Sequence, residues 1–306
     1  MAPIDHFSRE LSGRAQASFL KACISFQIVG LVGCTLMLGT ALLSRSVHRH
    51  STWFSFVFSW MVSGISYLLL FFSGQLGNQN PPFGLCLAQA ALIYSVPILT
   101  AASTLGLVTQ VYFNIRNMFS NQLRRRDMIR SMAILASPYI MLAAVAIGCL
   151  ILGLNHPETV HRSHPETPYC NMVNRVPSKI SSIAVASLLL PTLFLEVLIC
   201  RTMRKNWEAL KSQKYSPSTV IRLVAFSLCG ALAVGLSLLF AASDERDPEL
   251  TTVISLMPTA AFLIFGTQGD ILAVWMFWRK REQKSQDEVI DSRSELRDML
   301  PSAPSD

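Results

Sequence analysis

Long apolar runs alternate with short polar, basic segments along the whole chain, and this alternation predicts helices rather than strands because each apolar run far exceeds strand length. A hydrocarbon core of about 30 Å takes about 20 apolar residues at helical rise. Seven segments meet that length, and they predict membrane-spanning helices over residues 19–43, 52–74, 83–113, 131–154, 179–200, 220–243 and 250–269. Each holds an uncharged run of about 20 residues, except that the fifth carries Glu196 near its end. Lipid offers the backbone no hydrogen-bond partners, so such runs close their bonds internally. Pro97, Pro138, Pro191 and Pro258 inside them are read as kinks, either hinges or ordinary packing features.

Composition agrees: 51% of residues are apolar and 15% charged, a balance that argues against a soluble chain of this length. The fold class expected is an all-α membrane protein, a seven-transmembrane helix bundle. Residues 1–18 carry charges without a short apolar core, so no cleavable signal peptide is expected and these residues are read as an extracellular tail. Residues 282–306 are read as a polar, disordered cytoplasmic tail.

Lys and Arg in short loops set orientation. With the amino terminus outside, 19 of them fall on the cytoplasmic side and seven outside. The net charge of +7 then serves anionic lipid, and no nucleic-acid partner is needed to explain it. An integral, plasma-membrane location with a cytoplasmic carboxyl terminus follows as an expectation.

The longest outer loop repeats His-Pro-Glu-Thr at His156 and His164, with His161 between them. Imidazoles so close suit Zn²⁺ or Cu²⁺, but a hydrated loop with extended backbone before and after Pro is the simpler reading, so no metal or cofactor is expected. The third outer loop, residues 244–249, is acidic and reads as a solvated turn or a rim for a cation. Of seven cysteines, Cys86 and Cys170 alone face an oxidising compartment in positions a bridge joins naturally; two free cysteines are the alternative.

Seven spans with Cys86 opening the third and Cys170 in the second outer loop resemble the G-protein-coupled receptor superfamily over residues 19–281. The segment Phe265-Gly-Thr-Gln-Gly-Asp-Ile-Leu-Ala-Val-Trp-Met-Phe-Trp-Arg-Lys-Arg281, with Gly84-Leu-Cys-Leu-Ala-Gln89, is similar to orphan receptor-like proteins of mushroom-forming fungi. The resemblance implies an extracellular ligand and a heterotrimeric G protein inside. The chain departs from rhodopsin-like members, with Gln110-Val111-Tyr112 where an acidic-Arg-Tyr triplet would stand. Arg116 is the basic side chain nearest that position. The seventh span has no Lys for a retinal Schiff base.

Gly266 and Gly269 interrupt the seventh span, and Asp270 is read as the N-cap of a further helix over residues 270–281. Ile271, Val274, Trp275 and Trp278 make one stripe on it, ahead of Arg279-Lys-Arg281, which fits a helix lying in the inner interface with its tryptophans at headgroup depth. A longer, tilted seventh helix is the alternative. Glu196 and Asp270 are the carboxylates within or bordering the spans, and Glu196 is expected to pair with the basic stretch from Arg201.

Gln27, Gln89, Tyr94 and Thr100 are candidates for a ligand pocket, with interhelical hydrogen bonding as the competing role. Tyr112, Arg116, Arg124, Arg125, Arg126, Arg204 and Lys205 form the surface a G protein would meet. The expected function is a G-protein-coupled receptor. The alternative is a fungal membrane transporter or lipid-translocating protein, and no spacing of catalytic groups suggests an enzyme.

Overall fold

The structure is a computed structural model that describes residues 3–44, 49–118, 127–162, 167–207, 218–242 and 248–276. Its helices are α1 (Pro3–Leu43), α2 (Ser51–Tyr67), the short α3 (Leu69–Phe72), α4 (Phe83–Met118), α5 (Asp127–Asn155), α6 (Arg175–Lys205), α7 (Ser218–Ala242), α8 (Pro248–Gly266) and α9 (Gly269–Trp275). Strands β1 (Val160–His161) and β2 (Asn171–Met172) pair antiparallel, with Val160 opposite Met172. The protein is an all-α membrane protein carrying this one small hairpin.

Four helices are long and apolar enough to cross a membrane: Ser18–Leu43, Phe83–Asn117, Ile129–Asn155 and Arg175–Lys205. Ser255–Gly266 and Gly269–Trp275 form a fifth if that pair, bent by 86°, is a single span. The expected seven spans therefore appear among the described residues as four or five. The 17-residue α2 gives way at Leu68 to the four-residue α3, so the second apolar run is interrupted. In α7, which runs for 25 residues, the described apolar stretch is Val220–Leu232.

Residues 3–18, expected as a tail, continue α1 without a break. Their sequence holds one Gly and no internal Pro, and a lone Gly costs a helix only about 1 kcal/mol.

Helix α4 is the centre of the molecule, with 67% of its apolar span buried against 11% for α5 and 17% for α6. It packs on α2, α5 and α6, while α1 packs along α8. On α5, Ile140, Ile147, Ile151 and Leu154 stand exposed at one-face helical spacing, an arrangement that is stable when the surround is lipid.

Two apolar clusters fill the interior. At the end holding Cys86, the cluster comprises Leu70, Leu87, Ala90, Ala91, Cys149, Val160 and Met172 with the two bridged cysteines. Towards the other end, Phe56, Trp60, Phe226 and Phe265 meet edge to face at centroid separations of 4.9–6.4 Å, the geometry aromatic quadrupoles prefer.

Close helix contacts depend on small residues. A Cβ on Gly30 would lie 2.6 Å from Pro258 Cβ, and one on Gly33 would lie 2.2 Å from the Phe262 ring. These two glycines let α1 approach α8, as small residues do between membrane helices. Thr259 Oγ1 donates to Phe26 O at 2.5 Å along the same seam.

Candidate functional site

The hairpin closes one end of the bundle. Cys86 on α4 is bonded to Cys170 beside β2, with Cα atoms 5.3 Å apart, so the expected bridge is present. Three further ties surround it. Gln89, a turn along α4 from Cys86, donates from Nε2 to Ser66 O at 3.1 Å and accepts the Cys170 amide on Oε1 at 2.9 Å. The Tyr94 hydroxyl accepts the Met172 amide at 3.1 Å. Tyr67 of α2 meets Tyr169 edge on at 5.5 Å.

Arg162 fixes the loop's far side by donating to Thr167 O at 2.8 Å and to Leu76 O at 2.6 Å. Burial pushes its pKa below the ordinary guanidinium value, but the carbonyls around it are acceptors suited to the charged form. Gly153 of α5 provides the seat: a Cβ there would lie 2.3 Å from Leu87 and 3.2 Å from both Val160 and Met172.

These contacts bear on the residues expected to line a pocket. The polar atoms of Gln89 and Tyr94 hold the hairpin, the hydrogen-bonding role weighed as the alternative. Thr100 donates to Pro97 O in its own helix at 3.0 Å. Gln27 is different. It is 3% exposed, and neither atom of its amide has a hydrogen-bond partner among the described residues.

Gln27 belongs to a wider set. Trp60 Nε1, Ser103 Oγ and Glu196 Oε1 are likewise buried without a partner among the described residues. One side chain from each of α1, α2, α4 and α6 therefore brings unspent hydrogen-bonding capacity into the apolar interior, where such groups normally find partners. Glu196 forms no ion pair with a described residue; it lies beside Ser227 of α7, not against the basic stretch from Arg201. Its helix position explains this, since Glu196 is on the buried face with Ile199 and Met203 whereas Arg201, Arg204 and Lys205 are exposed.

The opposite end is organised around the break between α8 and α9. Arg49, in the segment before α2, binds the Gln268 carboxamide and pairs with the Asp270 carboxylate. Its guanidinium also lies 5.5 Å from the centre of the Trp53 ring, a cation–π distance. Arg222 of α7 reaches the same break, donating to Ile264 O, to Thr267 Oγ1 and, at 2.9 Å, to Thr267 O. Carbonyls at a helix C-terminus have no intrahelical donor, so a basic side chain is the apt cap.

Asp270 is not the N-cap of α9. Gln268 occupies that position, and Asp270 sits in the first turn where the helix dipole and Arg49 both favour its charge. The apolar stripe of α9 faces inward as well: Ile271 is fully buried, and Trp275 stacks near Phe262 and donates to Thr40 Oγ1 at 2.8 Å. Trp275 is thus anchored on α1 and α8. Trp278 and Arg279–Arg281 lie outside the described residues.

Of the expected G-protein surface, Tyr112 is half-buried against the core, whereas Arg116, Arg204 and Lys205 are exposed at the ends of α4 and α6. Arg124, Arg125 and Arg126 lie outside the described residues. In the His-rich loop, His156 is exposed beside Glu158 at 3.5 Å and His161 is exposed, while His164 lies outside the described residues; no group of three metal-ligating side chains forms among those described. The acidic turn at 244–247 lies outside them too, and α8 starts at Pro248.

Sequence reasoning missed Arg49, Arg222 and Arg162, which entered it only as loop charges. The signal available for the first two was their position at helix ends; that both reach the Gly266–Gly269 break, 45 or more residues away along the chain, was not legible. The chain matches no protein-family model, and no curated protein matches it.

Proposed function

We propose that the chain is a seven-helix receptor of the G-protein-coupled class in the plasma membrane, with its amino terminus outside. In this reading α2 and α3 together make the second span, α7 the sixth and α8 the seventh, with α9 lying along the inner interface. The observation that carries it is the hairpin fixed over the Cys86 end by a disulfide, Gln89 and Tyr94. A cap built that firmly shapes a mouth above the interior, where the unspent amide of Gln27 marks the first place to seek a ligand.

The excess of Lys and Arg at the opposite end supports the orientation. Arg116, Arg204 and Lys205, with Tyr112 behind them, then form the described part of the face that meets a heterotrimeric G protein. Coupling requires that face to differ between two bundle arrangements, one favoured by the ligand.

The test is nucleotide exchange on co-expressed fungal Gα subunits, measured with and without a ligand library. Ligand-stimulated exchange supports the reading. An absence of exchange under every ligand, together with substrate or lipid flux in proteoliposomes, overturns it in favour of a transporter. That second reading draws on one observation, the buried Glu196 without an ion-pair partner among the described residues, since membrane-embedded carboxylates commonly serve ion or proton pathways.

A further inference from the structure

Between α7 and α8, at the end where α8 breaks, runs an open groove of about 760 Å³ lined by Ser218, Ile221, Arg222, Ala225, Leu263 and Thr267. Its two ends differ in chemistry. At one, the Arg222 side chain is half-buried beside Ser218. At the other, the groove opens onto an apolar stripe: Ile221, Ala225, Leu228 and Leu232 recur on one exposed face of α7 at i, i+4, i+7 and i+11, and Leu256 and Leu263 run beside them on α8.

The charge of Arg222 is unbalanced. Its hydrogen bonds go to the Ser218 hydroxyl at 3.1 Å, to Thr267 and to the Ile264 carbonyl, all neutral acceptors, and no carboxylate pairs with it among the described residues. These four acceptors leave one of the five guanidinium N–H groups unused.

We propose that this groove binds an anionic phospholipid. The phosphate sits on Arg222 and the Ser218 hydroxyl, and one acyl chain lies along Ile221, Ala225, Leu228 and Leu263. The pairing of a cation that has no carboxylate partner among the described residues with a continuous apolar stripe selects an amphiphile over a free anion. Because Arg222 also caps the last carbonyls of α8, the bound headgroup holds α7 to the α8 break. This assignment is independent of whether the chain couples to a G protein.

The test uses the full chain purified in detergent and native mass spectrometry, with phosphatidylglycerol, phosphatidylcholine or inorganic phosphate added separately. Phosphatidylglycerol is expected to be retained about five- to tenfold more than phosphatidylcholine, the scale of one basic residue's attraction for anionic lipid. Arg222→Gln should reduce that preference to below about twofold, and Arg222→Lys should keep most of it. Leu263→Trp, which fills the groove, should reduce retention of phosphatidylglycerol while leaving Arg222 in place.

Equal retention of the two lipids by the parent chain overturns the proposal. So does an unchanged preference in Arg222→Gln. Competition by inorganic phosphate as effective as that by the lipid would instead make this an anion site. Monodispersity and an intact Cys86–Cys170 bridge check the fold of each variant, and Leu263→Trp carries the test if Arg222→Gln fails to fold.

Discussion

Replacing Gln89 by Leu tests whether the hairpin is held by hydrogen bonds as well as by its disulfide. Gln89 is fully buried, and a Leu of similar volume keeps its packing while deleting the bonds to the Cys170 amide and the Ser66 carbonyl. A buried donor stripped of its acceptor costs about 1–3 kcal/mol. The lost contact to Ser66 adds about 0.6 kcal/mol, the average for an interhelical bond in a membrane protein. The bridge still ties Cys170 to Cys86, so the cost should appear as local opening of the hairpin rather than as separation of helices.

A loss of about 2 kcal/mol in opening free energy corresponds to about 30-fold faster amide exchange, at 1.4 kcal/mol per factor of ten. Hydrogen–deuterium exchange of a peptide spanning Cys170–Val173 measures it. Reduction of the bridge by dithiothreitol should accelerate in parallel, because opening admits the thiolate. Exchange unchanged within about threefold, alongside a lower overall melting midpoint, would refute the reasoning and leave the disulfide as the sole fastening.

Three further outcomes are expected. Gly30→Ala should lower stability by about 1–3 kcal/mol, because its Cβ meets Pro258 and Thr259 backbone atoms at 2.7 Å, whereas Gly39→Ala, with open space around it, should be neutral or stabilising; thermal unfolding in detergent compares them. Asp270→Asn should leave the Arg49 charge without its carboxylate and raise hydrogen exchange across residues 269–276, with Arg49→Gln giving the same effect and the double variant adding little to either. His50 Nδ1 accepts the Thr52 amide as the N-cap of α2, and burial lowers its pKa from 6.5. Its contribution to stability is therefore complete above that value and lost as pH falls below it through the lower folded value; melting curves from about pH 5 to 8 should show the loss, and His50→Asn, a good cap that does not titrate, should remove it.

The helices were legible because lipid-facing and buried positions are both apolar, so charge-free runs coincide with spans: the expected 131–154 lies within Asp127–Asn155, and 179–200 within Arg175–Lys205. The same lack of contrast hid which face looks inward. Gln27 and Gln89 occupy equivalent-looking apolar runs, yet one has no described partner and the other bridges α2 and the hairpin. Partner geometry is set by backbone carbonyls and amides, which leave no mark in residue identity. The Cys86–Cys170 bridge was legible because thiol chemistry is confined to so few positions. Asp270 misled because an Asp after Gly reads as a cap, while its true partner, Arg49, lies 221 residues away.

The contacts of α8 constrain how this bundle can change shape. On one side α8 is seated against α1 through Gly30, Gly33, the bond from Thr259 to Phe26 and the anchoring of Trp275 on Thr40. Contacts closer than an added methyl would allow leave no room for sliding, so α1, α8 and α9 form the fixed wall. On the other side its described polar link to α7 is Arg222, whose acceptors are side-chain and backbone oxygens at the α8 break. In the receptor reading proposed above, movement between two arrangements falls to α7, with Arg222 as the contact to be broken, and Phe226 as the apolar contact that leaves Phe56, Trp60 and Phe265 at the same time. Glu196 lies beside Ser227, the next residue along, so the displacement would also change the surroundings of a buried carboxylate. The Arg222 contacts at the α8 break and the Glu196 carboxylate at the α6–α7 interface therefore both touch one helix, so in that reading a displacement of α7 reaches both.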